Sequence, residues 1–386
     1  MKKGKNFIKK VLRKENGFTM MEMIISIGVL TLLSVVGTTG MMSVRTKKIL
    51  DGEADMILTT IRETQDKALK QERSNAWGIK FFNATSGDDY YVQYYGTSFA
   101  TGTQKSIFYL PKTVKFLYPT EGNSTEMIVT KATGVPSAEN YVDIGSTGVE
   151  GSYRIRLDPR GKAEKIKNGY GLLAYYKFDD PASVVSAFDS SGKYVNATIS
   201  GATSGVAGKI QRALSFNGTS NYARASGFTD LGTSNQAYTF MGWVKLGTGE
   251  TDGNIIHMSS VIGGTGWCIP PVAIAGGKIR GYSYNSGAVS VTGTTTLTPG
   301  IWYHFANTWS ATNGLRIYLN GKLEASTAQA NYTASGASNF IFFGLDPSSC
   351  SGNVGWFSGL IDEVRIYNRA LSEKEIKDLY KETEEM

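Results

Sequence analysis

Histidine and cysteine are scarce in this chain, since each occurs only twice in 386 residues, against 45 glycines. Residues 43–168 contain neither of them and show no clustered carboxylates, so this part of the chain lacks the spacing expected of a catalytic site. The length allows two domains with a core each. The abundance of glycine indicates a turn-rich body dominated by β-strands.

The net charge of +7 does not indicate nucleic-acid binding. Residues 1–17 hold seven Lys or Arg and one Glu, a balance of +6, which leaves 7 − 6 = +1 for the rest of the chain. A general basic patch is therefore not expected outside the first residues, and we expect no nucleic-acid partner.

The first long apolar run predicts a membrane span. Residues 23–42 are 20 uncharged residues, which as a helix extend roughly 30 Å, the thickness of a bilayer core. The basic residues before the run predict that it is preceded by a cytoplasmic segment and followed by an exported body. A secretory signal peptide is cut after its apolar run, whereas the candidate cleavage point here, Gly17-Phe18, comes before it. We therefore expect residues 18–42 to remain as a transmembrane helix.

Glu22 lies beside this span, where a carboxylate costs roughly 2–3 kcal/mol on insertion scales. It marks either a functional position or a side chain that reaches back to the interface. Gly17, Phe18 and Glu22 form a pattern of glycine, aromatic residue and, at the fifth position counted from Phe18, glutamate. Over residues 13–42 this pattern resembles the class III leader of type IV pilins and type II secretion pseudopilins.

The resemblance implies processing and assembly roles for these three residues. Gly17 would precede the bond cut by a prepilin peptidase, so that residues 1–17 form the leader and Phe18 becomes the N-methylated first residue. Glu22 would pair with the terminal amine of a neighbouring subunit, because two opposite charges in lipid lower each other's desolvation cost by meeting. The implied partners are the peptidase, the inner or cytoplasmic membrane before assembly, and other pilin subunits in an extracellular fibre.

Residues 43–168 predict an α+β domain in which the helix continues and packs on an antiparallel sheet. Apolar residues recur at spacings of three, four or seven, as in an amphipathic helix, at Leu50, Ala54, Ile57, Ile61 and Ala68. Short strand segments follow, divided by Gly, Asn, Asp and Pro turns: WGIKFF, YYVQYYG, SIFYL, TVKFLY, EMIVT and YRIRLD. The helix, the strands after it and the closing YRIRLDPRGKAEKI resemble minor pilins and pseudopilins of the GspH/FimT type.

Residues 169–386 predict an all-β sandwich behind a hinge at residues 168–171. Short strands separated by glycine-rich turns are typical of two-sheet sandwiches, Asn320-Gly321 predicts a hairpin, and Ser372 is the expected N-cap of a closing helix. The sequence runs resemble, in family order, the concanavalin A-like, laminin-G-type jelly roll of bacterial surface proteins: AYYKFDD, ALSFNGTSNYA, FMGWVK, WYHFANTW, LRIYLNGKL and GLIDEVRIYNRALSEKEIKDLY.

The sandwich shows no arrangement expected of an enzyme. A glycosidase needs two carboxylates that face each other across a sugar, whereas Asp362 and Glu363 are neighbours on a predicted strand and should point to opposite faces. His257 and His304 have no Ser or Cys nucleophile context, and His304 lies in an apolar strand as a core histidine would. We expect no catalytic residues.

Asp362 is in phase with Val364 and Ile366, so we expect its carboxylate on the inner face, where it needs a partner. Members of the jelly-roll family often hold calcium near the junction of the first and last strands. The resemblance implies a sparse calcium site in which Asp179 and Asp180 supply further oxygens. The alternative, that hydrogen bonds alone satisfy Asp362, stays open.

Two cysteines and two tryptophans offer a candidate ligand rim. Cys268 and Cys350 form an even pair in an exported chain, which favours a disulfide over two unrelated buried thiols. Such a bond would bring Trp267 and Trp356 together, and their rings suit the apolar faces of sugars. The alternative is that both tryptophans cover the core.

The sequence thus predicts a minor pilin or pseudopilin subunit that carries a lectin-like domain. A bulky second domain would crowd a repeating shaft, which favours a tip or sparse position and a role as a surface adhesin for glycans or another cell-surface ligand. A spacer or tip subunit without its own ligand is the alternative, and a fibre-borne hydrolase would need a carboxylate pair that the sequence lacks.

Overall fold

The computed structural model describes most of the chain after the leader. The described residues are 20–74, 76–131, 133–136, 140–146, 152–158, 161–167, 169–193, 195–228, 231, 233–259, 268–334, 340–345 and 355–385, with side chains from residue 44 onward except at 74, 140 and 268. Gly17 and Phe18 lie outside these ranges, and for Glu22 only the helical backbone is described.

In the described part of the first half, one long helix is followed by eight strands. The helix is α1 (Met20–Leu69), and a 3-10 turn follows it at Glu72–Ser74. The strands are β1 (Trp77–Phe82), β2 (Tyr90–Tyr95), β3 (Thr103–Tyr109), β4 (Val114–Tyr118), β5 (Ser124–Val129), β6 (Asn140–Ser146), β7 (Ser152–Leu157) and β8 (Ala163–Lys167).

Two antiparallel sheets cover one side of α1, with strand orders β3-β2-β1-β5 and β4-β6-β7-β8. The five apolar helix positions that the sequence singles out are all buried: Leu50, Ala54, Ile57, Ile61 and Ala68. They share a core with Phe81 of β1, Phe116 of β4 and Ile155 of β7. The amphipathic prediction for this part of the helix is confirmed, because the apolar stripe finds a sheet face to cover it.

Within the part of the chain whose side chains are described, no helix is long and apolar enough to span a membrane. The predicted span at residues 18–42 lies outside that part.

Among its described residues, the second half contains sixteen strands and a closing helix. The strands are β9 (Leu172–Tyr176), β10 (Ser186–Ala187), β11 (Ala197–Ser200), β12 (Thr203–Ala207), β13 (Arg212–Asn217), β14 (Tyr222–Ser226), β15 (Tyr238–Leu246), β16 (Gly253–Ser259), β17 (Cys268–Ala275), β18 (Lys278–Tyr284), β19 (Ala288–Thr296), β20 (Trp302–Ser310), β21 (Gly314–Leu319), β22 (Lys322–Thr327), β23 (Phe340–Phe343) and β24 (Ser358–Tyr367), and the helix is α2 (Glu373–Glu384).

These strands form two antiparallel sheets packed face to face. One has the order β10-β11-β14-β23-β16-β17-β18-β19, and the other has the order β12-β13-β24-β15-β20-β21-β22, with β9 beside β24. Their inner faces share one core, which includes Phe240, Phe305 and Trp309 from one sheet and Ile256 and Phe343 from the other. The all-β sandwich prediction is confirmed, because alternate residues of both sheets interdigitate in a single apolar layer.

Helix α2 covers the outside of the second sheet. The Ser372 side chain accepts from the Glu375 N–H and the Glu375 carboxylate accepts from the Ser372 N–H, which is the expected capping box. The Trp243 Nε1–H donates to the Thr383 hydroxyl at 2.9 Å. His304 packs against Trp243 at 5.4 Å between ring centroids, so the expectation of a buried structural histidine is confirmed.

The segment predicted as a hinge is held from both sides. The Arg154 Nη1–H donates to the Leu172 carbonyl at 2.9 Å, and the Arg369 Nε–H donates to the Tyr170 carbonyl at 2.8 Å. A Cβ at Gly169 would collide with Arg154, so the backbone lies directly on that side chain. Gly169 thus permits a close crossing between the halves, and the hinge stays a prediction.

Candidate functional site: the outer face of the first sandwich sheet

One face of the β10–β19 sheet lies against the core, and the other points away from it. In β14, Ala223 and Ala225 are core residues, so strand alternation puts Tyr222 and Arg224 on the opposite face. Neighbouring strands contribute further side chains to this side of the sheet, which we call the outer face: Phe340 and Phe342 in β23, His257 in β16, and Arg280 and Tyr282 in β18. Phe342 and His257 are almost completely buried, whereas the other side chains of this face are half-buried.

Carboxylates are missing from this sheet. Its eight strands contain no Asp or Glu on either face, whereas Arg224, Lys278 and Arg280 are positively charged. The opposing sheet differs, since its strands include Asp362, Glu363 and Glu324. The outer face is therefore a cationic surface rich in aromatic and hydroxyl groups.

Arg224 is one of the three cations of this sheet. It is half-buried, and its guanidinium carbon lies 5.9 Å from the centre of the Phe340 ring. No hydrogen bond or ion pair joins its guanidinium to another described residue. Tyr222, two residues earlier on the same strand, lies 6.2 Å from Phe342 between ring centroids. Arg224 thus offers hydrogen-bond donors beside a small aromatic cluster.

Arg280 is fixed by neighbouring strands. Its Nε–H donates to the Thr292 hydroxyl at 2.8 Å, and its Nη1–H donates to the Tyr282 hydroxyl at 2.9 Å. These two bonds leave the other guanidinium N–H groups for a further acceptor. Arg280 is half-buried, so the positioned cation is still accessible.

His257 lies in the middle of the sheet, directly opposite Phe342 of β23. Burial lowers the pKa of this imidazole to about 3, because a charged ring would lose its hydration. His257 is therefore neutral at physiological pH and adds no charge to the outer face.

The predicted calcium ligands are not arranged as a metal site. The Asp362 Oδ2 accepts from the backbone N–H groups of Lys209 at 2.8 Å and Ile210 at 3.0 Å, and its Oδ1 accepts from the Glu363 N–H at 2.8 Å. Burial raises the pKa of Asp362 to about 8, although those N–H groups act in the opposite direction. Three N–H donors thus occupy three of the about four lone-pair positions of this carboxylate.

Asp179 and Asp180 are likewise bound to backbone N–H groups, those of Arg212 at 3.1 Å and Phe188 at 3.1 Å. Among the residues that the structure describes, no three His, Cys, Asp or Glu side chains form a group that could hold a metal ion. The calcium site therefore stays a prediction, and the structure describes hydrogen bonds that satisfy the Asp362 carboxylate.

The inward placement of Asp362 is also corrected, because β24 contains a bulge. Ile361, Val364 and Ile366 are core residues. Two residues separate Ile361 from Val364, whereas regular strand alternation would leave one. Glu363 has φ +53° and the register with β15 shifts at this point. Asp362 therefore lies off the core face, and the expected opposition of Asp362 and Glu363 fails. Glu363 instead accepts from the Tyr175 hydroxyl.

The predicted tryptophan rim falls mostly outside the described residues. Trp267 and Cys350 are not described, and for Cys268 only the backbone, in β17, is described. Trp356 is half-buried beside the start of β16, where the Asn254 N–H donates to the Gly355 carbonyl at 2.9 Å. The disulfide and the paired indoles therefore stay predictions.

A comparison with protein families matches residues 217–377 to the concanavalin A-like lectin/glucanases superfamily. The C-terminal domain is a concanavalin A-like, laminin-G-like jelly roll. The match covers the strands from β14 to β24 and the first five residues of α2, and it includes the outer face. Among curated proteins, no significant match to the chain is found.

Solved structures similar to this jelly roll include domain 4 of AbnA, an extracellular GH43 arabinanase from Geobacillus stearothermophilus, in complex with arabinotriose. That domain is 24% identical with a TM-score of 0.42, over 54% of this chain and 98% of the domain. The receptor binding domain of botulinum neurotoxin C/D mosaic serotype is 15% identical with a TM-score of 0.42, over 55% of this chain and 52% of its own. A botulinum neurotoxin type C structure, described by its interaction with two ganglioside molecules, is 15% identical with a TM-score of 0.42, over 56% and 52%. This chain thus spans about half of either toxin chain, and the fold assignment rests on the family match and the sheet topology.

Sequence reasoning missed the outer face. Its signal lies in the strand segments YARAS, FIFF and KIRGYSY, which alternate core residues with aromatic or basic residues and contain no acid. Such a pattern becomes visible only when the pairing order is known, because the three segments are far apart in the chain.

Proposed function

We propose that this chain is a minor pilin or pseudopilin subunit whose jelly roll binds glycans at the outer face, and that it acts as a surface adhesin. In this proposal a prepilin peptidase removes residues 1–17, the apolar half of α1 anchors the subunit in the membrane, and the same helix later packs among other pilin subunits. The chain would be membrane-bound first and part of an extracellular fibre afterwards. No catalytic step is part of the proposal.

The observation that carries the adhesin role is the composition of the outer face. Aromatic side chains suit the apolar C–H faces of sugars, while arginine and hydroxyl groups suit sugar oxygens. Tyr222, Phe340 and Arg224 combine both properties within adjacent strands β14 and β23. A lectin-like fold with such a face has the means to hold a glycan.

The pilin role is supported by the leader pattern and by the helix behind it. Gly17 and Phe18 precede α1, and Glu22 is in its first turn. The helix continues without interruption to Leu69. Among the helix residues whose side chains are described, from 44 onward, the buried apolar stripe that covers the two small sheets begins at Leu50. The earlier part is thus available for a membrane or for other subunits.

Glycan binding is best tested on the chain from residue 43 onward. The jelly roll alone, from residue 169, would lose the Arg154 contacts to the Leu172 and Ser191 carbonyls. A glycan array that includes arabino-oligosaccharides and gangliosides would be probed with calcium and with chelator. We expect binding that is indifferent to chelator, because the predicted calcium carboxylates are occupied by N–H groups.

A matched pair of variants locates the binding surface. Tyr222→Ala should weaken glycan binding, whereas Tyr109→Ala, which removes a tyrosine 66% exposed on β3 of the first half, should not. Equal effects of the two variants would place the site elsewhere. A folded chain that binds no glycan would favour the spacer role instead.

A further inference from the structure

We propose that the glycan recognised by the outer face carries negative charge, as a carboxylate or a sulfate on the sugar. This inference rests on the proposed function and names the ligand class for the same face.

The charge distribution of the jelly roll supports an anionic ligand. A sheet without any Asp or Glu presents no carboxylate to repel an anion, and Arg224, Lys278 and Arg280 attract one. Among the described residues, Glu324 of the opposing sheet accepts from Thr294 and Thr295 at the edge strand β19, and Asp252 accepts from the Gly276 N–H in the turn between β17 and β18. Both carboxylates are already hydrogen-bonded, and neither forms an ion pair with Arg224.

Arg224 is suited to the anion itself. A guanidinium presents paired N–H donors that match the two oxygens of a carboxylate or sulfate. Its partial burial over Phe340 reduces competition by water. Because no described residue accepts a hydrogen bond from Arg224, its donors need no rearrangement before they meet a ligand.

The second cation suggests a ligand longer than one sugar. Arg224 lies in the third strand of the sheet and Arg280 in the seventh, so four strand spacings, or about 19 Å, separate their strands. Charges repeated along an oligosaccharide or polysaccharide can engage both arginines at once, which a single charged sugar cannot. A repeating anionic polymer is therefore the best probe.

The test uses the full chain in detergent micelles and two pairs of polymers that differ in charge. Polygalacturonate is compared with its methyl ester for the carboxylate, and dextran sulfate is compared with dextran for the sulfate. Binding is measured by biolayer interferometry at two salt concentrations. Each charged polymer that fits is expected to bind about tenfold or more tightly than its neutral partner, with weaker binding at higher salt.

Three variants assign the effect to Arg224. Arg224→Gln should lose the preference for charge by about tenfold, and Arg224→Lys should keep part of it, since lysine retains the charge without the paired donors. Arg316→Gln is the matched control, because Arg316 is a half-buried arginine on β21 of the opposing sheet. Equal losses in Arg224→Gln and Arg316→Gln would overturn the placement on the outer face.

The outcomes separate this inference from the proposed function. Equal binding of charged and neutral polymers overturns the anionic ligand class but leaves glycan binding in place. Absence of binding to every glycan, with a folded chain by circular dichroism, overturns both. A preference for only one of the two charged polymers supports the inference and identifies the anionic group.

Discussion

Arg154 holds both oxygens of Asp143 and at the same time reaches into the jelly roll. Its Nε–H and Nη2–H donate to Oδ1 at 2.7 Å and Oδ2 at 2.8 Å, and its Nη1–H donates to the carbonyls of Leu172 at 2.9 Å and Ser191 at 3.2 Å. The side chain is almost completely buried. One charged residue of β7 thus satisfies groups in both halves of the chain.

Replacement of Arg154 by methionine should strongly destabilise the folded chain. The change leaves Asp143 as a buried unpaired carboxylate and removes the donors to two carbonyls, and loss of one partner of a buried ion pair costs about 3–5 kcal/mol. The free energy of unfolding from denaturant titration measures the effect. Lys70→Met, at an exposed pair with Asp66, is the control and should leave the free energy of unfolding almost unchanged.

The double variant Arg154→Met/Asp143→Leu should recover part of the loss, because no unpaired charge then remains. Recovery should be incomplete, since the carbonyls of Leu172 and Ser191 stay without their donor. A double variant as stable as the original chain would show that the contacts to the jelly roll contribute nothing.

Asp362 should make the folded chain less stable as the pH rises. Burial raises its pKa from 3.8 to about 8, so the folded chain binds this proton more tightly than the unfolded chain does. The free energy of unfolding contributed by this group is therefore greatest below pH 4 and is lost as the pH rises towards 8. Asp362→Asn should make the dependence of melting temperature on pH shallower between pH 5 and pH 9.

Asp378→Asn provides a control with the opposite sign. Burial alone would raise the pKa of Asp378, but Lys374 and Lys47 outweigh burial and lower the pKa. The contribution of Asp378 to the free energy of unfolding is therefore present above the ordinary pKa of an aspartate and is lost on acidification. This variant should leave the slope between pH 5 and pH 9 unchanged. An identical change of slope in both variants would contradict the role assigned to Asp362.

The capping box of α2 should contribute measurably to stability. Ser372→Ala removes the side-chain acceptor for the Glu375 N–H, and loss of an N-cap typically costs about 1 kcal/mol. Because α2 covers Trp243, tryptophan fluorescence during urea unfolding reports the change. Ser326→Ala, at an exposed serine of β22, should have almost no effect.

The leader pattern predicts a defined processing product. Co-expression with a prepilin peptidase should yield a chain that begins at an N-methylated Phe18, as measured by mass spectrometry of the intact protein. Gly17→Leu should block this cleavage, whereas Glu22→Gln should permit it but reduce incorporation into fibres. Cleavage after the apolar run would instead indicate an ordinary signal peptide and would argue against the pilin role.

The sequence predicts those elements whose patterns are local. Segments such as WGIKFF, YTFMGWVKL and IWYHFANTW alternate or run apolar, and they became β1, β15 and β20. The missed strands include β12, β17 and β19, which are rich in Ser, Thr and Gly or contain Pro270 and Pro271. Such segments have weak strand propensity by themselves and are held by their neighbours in the sheet.

The candidate site depended on information that a single strand does not contain. Strict alternation predicts that Asp362 faces the core, but the bulge at Glu363 adds one residue and turns Asp362 to the other face. The segment IDEVRI carries no clear sequence signature of a bulge, so the sequence alone does not predict this change. The outer face required the order of eight strands, which brings β14 beside β23 across more than a hundred residues. Cross-strand neighbours of this kind follow from tertiary structure alone.

The crossing between the two halves has a mechanical consequence. A second attachment lies apart from Arg154, where Ile166 packs in one apolar cluster with Ile376 and Leu379 of α2, and where Lys47 of α1 reaches Asp378 at 3.3 Å. A body held at a single point can swivel, but one held at two points resists torsion. Rotation of α1 about its axis would therefore turn the jelly roll with it. The rotational position of α1 would then set the direction in which Arg224 and the outer face point.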